Sequence, residues 1–181
     1  MNLWKIFQRF YERAGEKMVK EIEEFVLGQK VLDLGCGSGI FGKKISEKLK
    51  KEVMGIDVID KRVYPITFQI YDGKNIPFSN DYFDVVIIAF VLHHTKDPIS
   101  ILKEAKRVGK RIIIFEDLSE GILGKVYCFL HWITWNLFFG KSPNFNFYTT
   151  KEWKEIFKNL GLKLISEKDF LIKRKIFVLE K

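Results

Sequence analysis

Residues 31–45, VLDLGCGSGIFGKKI, constrain the folding of this chain more than any other stretch. An apolar run ends in Asp33-Leu34, three glycines alternate with small residues at Gly35, Gly37 and Gly39, and a helical pattern starts at once. That order predicts a buried strand, a tight turn that bares its backbone N–H groups, and a helix N-terminus facing a ligand. The pattern G-x-G-x-x-G of dinucleotide sites is met by Gly37, Gly39 and Gly42, but in those sites the first glycine ends the strand directly. Here Gly37 lies beyond the strand end, and Asp33 would repel a pyrophosphate while attracting a cationic amine. The expected ligand therefore carries a positive charge.

The rest of the chain alternates strand with helix. Short β-rich runs are predicted at Lys30–Leu34, Glu52–Asp57, Ile66–Ile70, Asp84–Phe90 and Arg111–Phe115. Several are continuously apolar (VLDL, DVVIIAF, RIIIF), as strands covered on both faces must be. Helices are expected at about 40–50 and 99–107, which gives an α/β fold with a doubly wound, mostly parallel sheet. Between Asp57 and the third strand stand only Val58 to Pro65, too few for a crossover helix. LKLISEKDF and KIFVLEK, joined by a short charged turn, predict a C-terminal antiparallel hairpin. Residues 3–27 read as two helical pieces broken near Gly15, and Thr150 reads as the N-cap of a helix ending near Gly161.

With 181 residues the chain has the size of one domain, and residues 1–181 are read as one. Its two cysteines, Cys36 and Cys128, and three histidines cannot form a Cys-rich zinc site or a disulfide scaffold. No metal is expected, and the compartment is expected to be reducing and cytoplasmic. The net charge is +8, yet residues 1–30 carry six Lys/Arg against five Glu, so much of the surplus is a mixed, solvated surface.

At the end of the second strand Asp57 can accept from both hydroxyls of a ribose. Downstream come DGKNIPF, with Asp72-Gly73, and FDVVIIAFVLHHTKDP, with Phe90 and His93-His94. Together D-x-G-x-G-x-G, the acidic strand end, D-G-x-x-I-P-F and F-D-V-V…V-L-H-H…D-P resemble the class I S-adenosylmethionine-dependent methyltransferases, and more narrowly the group with the quinone-biosynthesis and small-molecule enzymes. The resemblance is close over residues 30–117. It implies a Rossmann-like seven-stranded sheet with one antiparallel strand and S-adenosylmethionine as cofactor. By the same resemblance Gly35, Gly37 and Gly39 pass under the methionine part, Asp33 lies near its amine, and Asp57 holds the ribose with Val58 alongside. Asp72 and Gly73 meet the adenine amino group, and Phe90 helps close the pocket.

Methyl transfer from a sulfonium needs alignment and desolvation more than proton chemistry. Should a base be used, His93 and His94 are the candidates. His131 and Tyr148 are candidate substrate contacts, and Glu116-Asp117 reads as a helix cap rather than a base. Residues 121–140, GILGKVYCFLHWITWNLFFG, read as an amphipathic helix with Lys125, Cys128, Trp132 and Asn136 opposite Val126, Leu130, Ile133 and Leu137. It is expected to cover the sheet, with a substrate lid (118–150) or a peripheral membrane contact as the sharper readings. The expected acceptor is a small, apolar or aromatic molecule. An RNA or protein acceptor, or a non-catalytic cofactor-binding partner protein, is the alternative, and nucleic acid is disfavoured because FVLHHTKDP lacks the Pro-Pro-aromatic loop of base-amino methylating enzymes.

Overall fold

The computed structural model describes residues 3–138 and 146–181. Its elements are α1 (Leu3–Ile22), β1 (Lys30–Leu34), α2 (Ile40–Leu49), β2 (Glu52–Asp57), β3 (Thr67–Ile70), β4 (Phe83–Ala89), α3 (Pro98–Val108), β5 (Gly109–Asp117), α4 (Gly121–Phe138), α5 (Thr150–Asn159), β6 (Lys163–Asp169) and β7 (Arg174–Glu180), with short 3-10 turns at Glu23–Phe25 and Leu92–His94. The seven strands form one sheet in the order β3-β2-β1-β4-β5-β7-β6. All neighbours are parallel except β7, which runs antiparallel to both β5 and β6. The expected doubly wound sheet with its closing hairpin is therefore present, and the β2–β3 crossover is a loop without a helix.

Both faces of the sheet are covered, which explains the continuous apolar runs. Along β4, Val85 and Ile87 turn to one side with Val31, Ile113, Phe115 and the helix residues Val19, Ile22, Phe41 and Ile45. Val86 and Ile88 turn to the other, against Ile101, Leu102 and Ala105 of α3 and Trp153 and Phe157 of α5. Burying one such side chain stabilises the fold by about 1.5–3 kcal/mol, and pairs that interlock across both faces leave no polar alternation.

Three local expectations are corrected. α1 is continuous through Gly15, because that residue is where α1 meets α2: an added Cβ would lie 3.4 Å from Ile40 Cγ1 and Lys44 Cγ. The N-cap of α5 is Thr149, not Thr150, since Glu152 then stands at the third helical position and the two residues close a reciprocal capping box. The helix α4 inverts its expected orientation. Cys128 is fully buried, whereas Val126, Leu130 and Leu137 of the apolar stripe are exposed together with Ile122, Leu123 and Phe129. Gly124 also lies on the inner side, where a Cβ would come within 2.9 Å of the Ser119 carbonyl carbon in the segment leading into the helix. Among the described residues no helix is long and apolar enough to cross a membrane.

Candidate active site

The carboxyl ends of β1, β2, β4 and β5 meet along one edge of the sheet, and the glycine turn starts there. Gly35 and Cys36 both donate their N–H to the Ile56 carbonyl, at 2.8 and 3.1 Å, tying the turn to β2. Gly35 has φ +74°, and a Cβ on it would lie 2.5 Å from Val91 Cγ2. Gly37 has φ +50° and nothing within 4 Å of where its Cβ would be, so the backbone here faces open space. Cys36 is buried beneath the turn, and burial pushes its thiol up to about 12, which removes it as a nucleophile.

Two carboxylates frame this open strip. Asp33 is buried and accepts the Gly42 N–H at 3.0 Å. Burial outweighs that bond and, with the nearby charge of Asp57, pushes the Asp33 carboxyl up to about 7. Asp57 sits at the rim, where Oδ2 accepts from Gly37 N at 2.9 Å and Oδ1 from Val58 N at 2.7 Å. Two adjacent acids exclude a pyrophosphate and suit an ammonium and a diol.

Beyond Asp57, Val58 is exposed and lies against Gly73, where an added Cβ would stand 3.0 Å from Val58 Cγ1. Asp72 turns inward on its own loop: Oδ1 accepts from Lys74 N and Asn75 N, and Oδ2 from Asn75 Nδ2. Those bonds, led by the Asn75 N–H, lower its carboxyl. Phe90 follows β4 at φ +59°, its N–H bonded to the Phe115 carbonyl and its ring 4.8 Å from the Arg174 guanidinium.

On the far side of the glycine turn, next to Val91, the structure gathers all three histidines. The rings of His93 and His94 are 4.1 Å apart, those of His93 and His131 5.4 Å, and those of His94 and His131 5.9 Å. Phe147 stacks on His93 at 4.7 Å. Tyr148 does not join them, since its ring packs edge-on against Trp153. Glu116 and Asp117, both buried at the end of β5, are not helix caps. Glu116 accepts from Leu92 N at 2.8 Å and pairs with His93 Nδ1 at 2.5 Å, while Asp117 Oδ1 accepts from Arg174 Nε at 2.7 Å. Burial opposes the charged form of His93, but the Glu116 carboxylate overrides it and holds that ring above the usual imidazole value. For His94, burial, with the charges of His93 and His131, pushes the ring down to about 3.

Comparisons with known proteins give the family. A family model described as a methyltransferase domain matches residues 4–167. The chain belongs to the methyltransferase-domain family. This methyltransferase is 28% identical over 192 residues to the demethylmenaquinone methyltransferase of Thermotoga maritima, covering 90% of the chain and 83% of that protein. It is 34% identical over 149 residues to an uncharacterized protein of Methanocaldococcus jannaschii, covering 78% and 68%. Its fold matches the crystal structure of a SAM-dependent methyltransferase, possible histamine N-methyltransferase, of Thermotoga maritima with TM-score 0.69, 19% identity and coverage of 99% and 100%. The enzyme's cofactor is S-adenosylmethionine, and the residues present fit it: an open glycine strip, a buried acid beside it, and a second acid at the rim followed by an exposed apolar residue.

Sequence reasoning placed His131 apart from His93-His94 and passed over Glu116 and Arg174 as site residues. One signal was available. Two consecutive acids closing the strand RIIIFED are buried, and buried carboxylates demand partners.

Proposed function

We propose that this methyltransferase transfers its methyl group to a small, apolar or aromatic acceptor seated between the glycine turn and the histidine cluster. The observation that carries this reading is the set of flat rings gathered there, Phe90, His93, His94, Tyr127, His131 and Phe147, beside a turn whose backbone is bare. Flat rings give an aromatic acceptor faces to stack on at about 0.5–1.5 kcal/mol each beyond simple burial. The relationship to a demethylmenaquinone methyltransferase supports an acceptor of that size and polarity.

S-adenosylmethionine supplies a methyl already activated on a sulfonium sulfur. Gly35, Gly37 and Gly39 let the backbone approach its methionine part, and Asp33 receives the amine. Asp57 takes the ribose hydroxyls with lone pairs left by Gly37 and Val58, while Val58, Asp72 and Gly73 flank the adenine and Phe90 closes the side toward β4. His93, His94 and His131 form the polar wall on the acceptor's side. Tyr148 acts from behind, by fixing the chain that carries Phe147. The inner face of α4, Tyr127 and His131, covers the acceptor, so that residues 118–138 and 146–150 form a substrate cover within one domain; residues 139–145 of the expected 118–150 cover lie outside the described residues. The lining excludes water and aligns nucleophile, methyl and sulfur, a gain that reaches several kcal/mol.

The test is incubation with methyl-labelled cofactor and a cell extract, followed by fractionation. Label in the small-molecule or lipid fraction is the expected result. Label confined to RNA or protein would overturn the acceptor class, and cofactor binding with no label anywhere would favour the non-catalytic alternative.

A further inference from the structure

Three imidazoles drawn from two distant parts of the chain do not meet without consequence. His93 and His94 come from the turn after β4 and His131 from the third turn of α4, yet each offers a ring nitrogen within 4.8 Å of the other two. Rings that share one tetrahedral ion sit about 5 Å apart, centroid to centroid, given metal–nitrogen bonds of about 2.0–2.1 Å. The three centroid distances, 4.1, 5.4 and 5.9 Å, bracket that value.

Orientation adds a second, independent observation. His93 is 1% exposed and its Nδ1 is committed to Glu116 at 2.5 Å. Its Nε2 is fully buried and meets no hydrogen-bond partner among the described residues. A carboxylate on one ring nitrogen, with the other left for a ligand, is the arrangement that orients metal-binding histidines. His131 likewise has a carboxylate behind it, its Nδ1 lying 3.9 Å from the buried Asp117 Oδ2. That oxygen too has no hydrogen-bond partner among the described residues.

Charge points the same way. Asp117 is balanced by Arg174, whereas among the described residues Glu116 meets the backbone N–H groups of Leu92 and Asp117 and the His93 ring. A buried carboxylate behind an imidazole favours positive charge at that ring, which a cation bound on Nε2 supplies in place of a second ring proton. Imidazole nitrogens select borderline divalent ions over magnesium or calcium, which prefer oxygen.

We propose that His93, His94 and His131 bind one divalent transition-metal ion of the zinc type, with Glu116 and Asp117 orienting His93 and His131 from behind. The nitrogens must close from 4.8 Å at most to about 3.3 Å for tetrahedral binding. His94 and His131 are half-buried and turn about their side-chain bonds to do so, while His93 stays fixed by Glu116 and Phe147. Three protein ligands leave one position for water or for an acceptor's oxygen or sulfur. Only that last use rests on the methyl-transfer reading; the binding of the ion does not.

The experiment titrates chelator-stripped full-length protein with cobalt(II), then zinc(II), without cofactor or acceptor. One equivalent of cobalt should give the intense visible bands of a four-coordinate site, and one equivalent of zinc should abolish them. His131→Asn should remove the bands, and Glu116→Gln should weaken zinc binding by roughly 10–100-fold with all three histidines in place. Thermal unfolding and S-adenosylmethionine affinity check that each variant is folded, and His94→Gln stands in where His131→Asn is not. Absence of four-coordinate bands in the unmodified protein would overturn the site, as would bands that survive loss of a histidine. A protein that binds no metal yet transfers label overturns this site alone; one that binds cobalt but transfers none overturns the methyl-transfer reading alone.

Discussion

Substituting Asp33 by asparagine separates what its charge does for the cofactor from what burying it does to the fold. The carboxyl lies near 7 in the free protein because burial disfavours its charged form. A cationic amine binds the ionised form, and the ionised fraction rises from about 9% at pH 6 to about 91% at pH 8. Affinity for S-adenosylmethionine should therefore rise about tenfold over that interval. The ligand's own amine titrates nearby, so the quantity to follow is the ratio of wild-type to Asp33→Asn affinity, in which that effect cancels. Stability moves in the opposite direction. A carboxyl whose native value is raised from 3.8 to about 7 keeps its proton longer in the folded state, so its contribution favours folding below pH 4 and is lost as pH rises to 7. The whole change is about 4 kcal/mol at most. Asp33→Asn, which can still accept the Gly42 N–H, should flatten it. Calorimetric titrations at several pH values and denaturant unfolding of both proteins provide the data. An affinity ratio that stays constant from pH 6 to 8 would show that Asp33 does not face the amine.

Other outcomes follow from the same geometry. Asp57→Ala should weaken cofactor binding by about 1.5–3 kcal/mol, the scale of charge-assisted hydrogen bonds, and unchanged affinity by calorimetry would remove Asp57 from the ribose site. Gly35→Ala, forced to φ +74° with its Cβ against Val91, should lower stability by more than about 1 kcal/mol and abolish cofactor binding, whereas Ala tolerated in both assays would mean that the turn is not under this constraint. Arg174→Met leaves Asp117 buried without its cation and should cost about 3 kcal/mol in urea unfolding, with wild-type stability contradicting the pairing. In hydrogen exchange, cofactor should slow residues 33–42, 57–58 and 72–73, while α4, which is thinly anchored and turns apolar side chains outward, should respond only to an apolar acceptor; strong protection of α4 in the free protein would refute its role as a cover.

The parts of this molecule legible in sequence are those whose cause is local. The strands announce themselves because a sheet covered on both faces needs unbroken apolar runs, and β1 and β2 occupy the predicted residues. The glycine turn is legible because positive φ and bare backbone select one residue type. Helix ends shift by a residue where the cap depends on a partner three positions on, as Thr149 and Glu152 show. The orientation of α4 differs from a helical-wheel reading because the wheel ranks faces by hydropathy, while the inner face carries Cys128 and Tyr127, whose hydroxyl accepts from Arg174 on β7. The histidine cluster lies wholly beyond such reasoning. His93 and His131 are 38 positions apart, and what unites them is the sheet order that places β5 beside β4, so that Glu116 stands behind one ring and Asp117 behind the other. Charge buried at a strand end is then the sequence feature most worth following into a structure, because it must find a partner and its partner is seldom a neighbour in the chain.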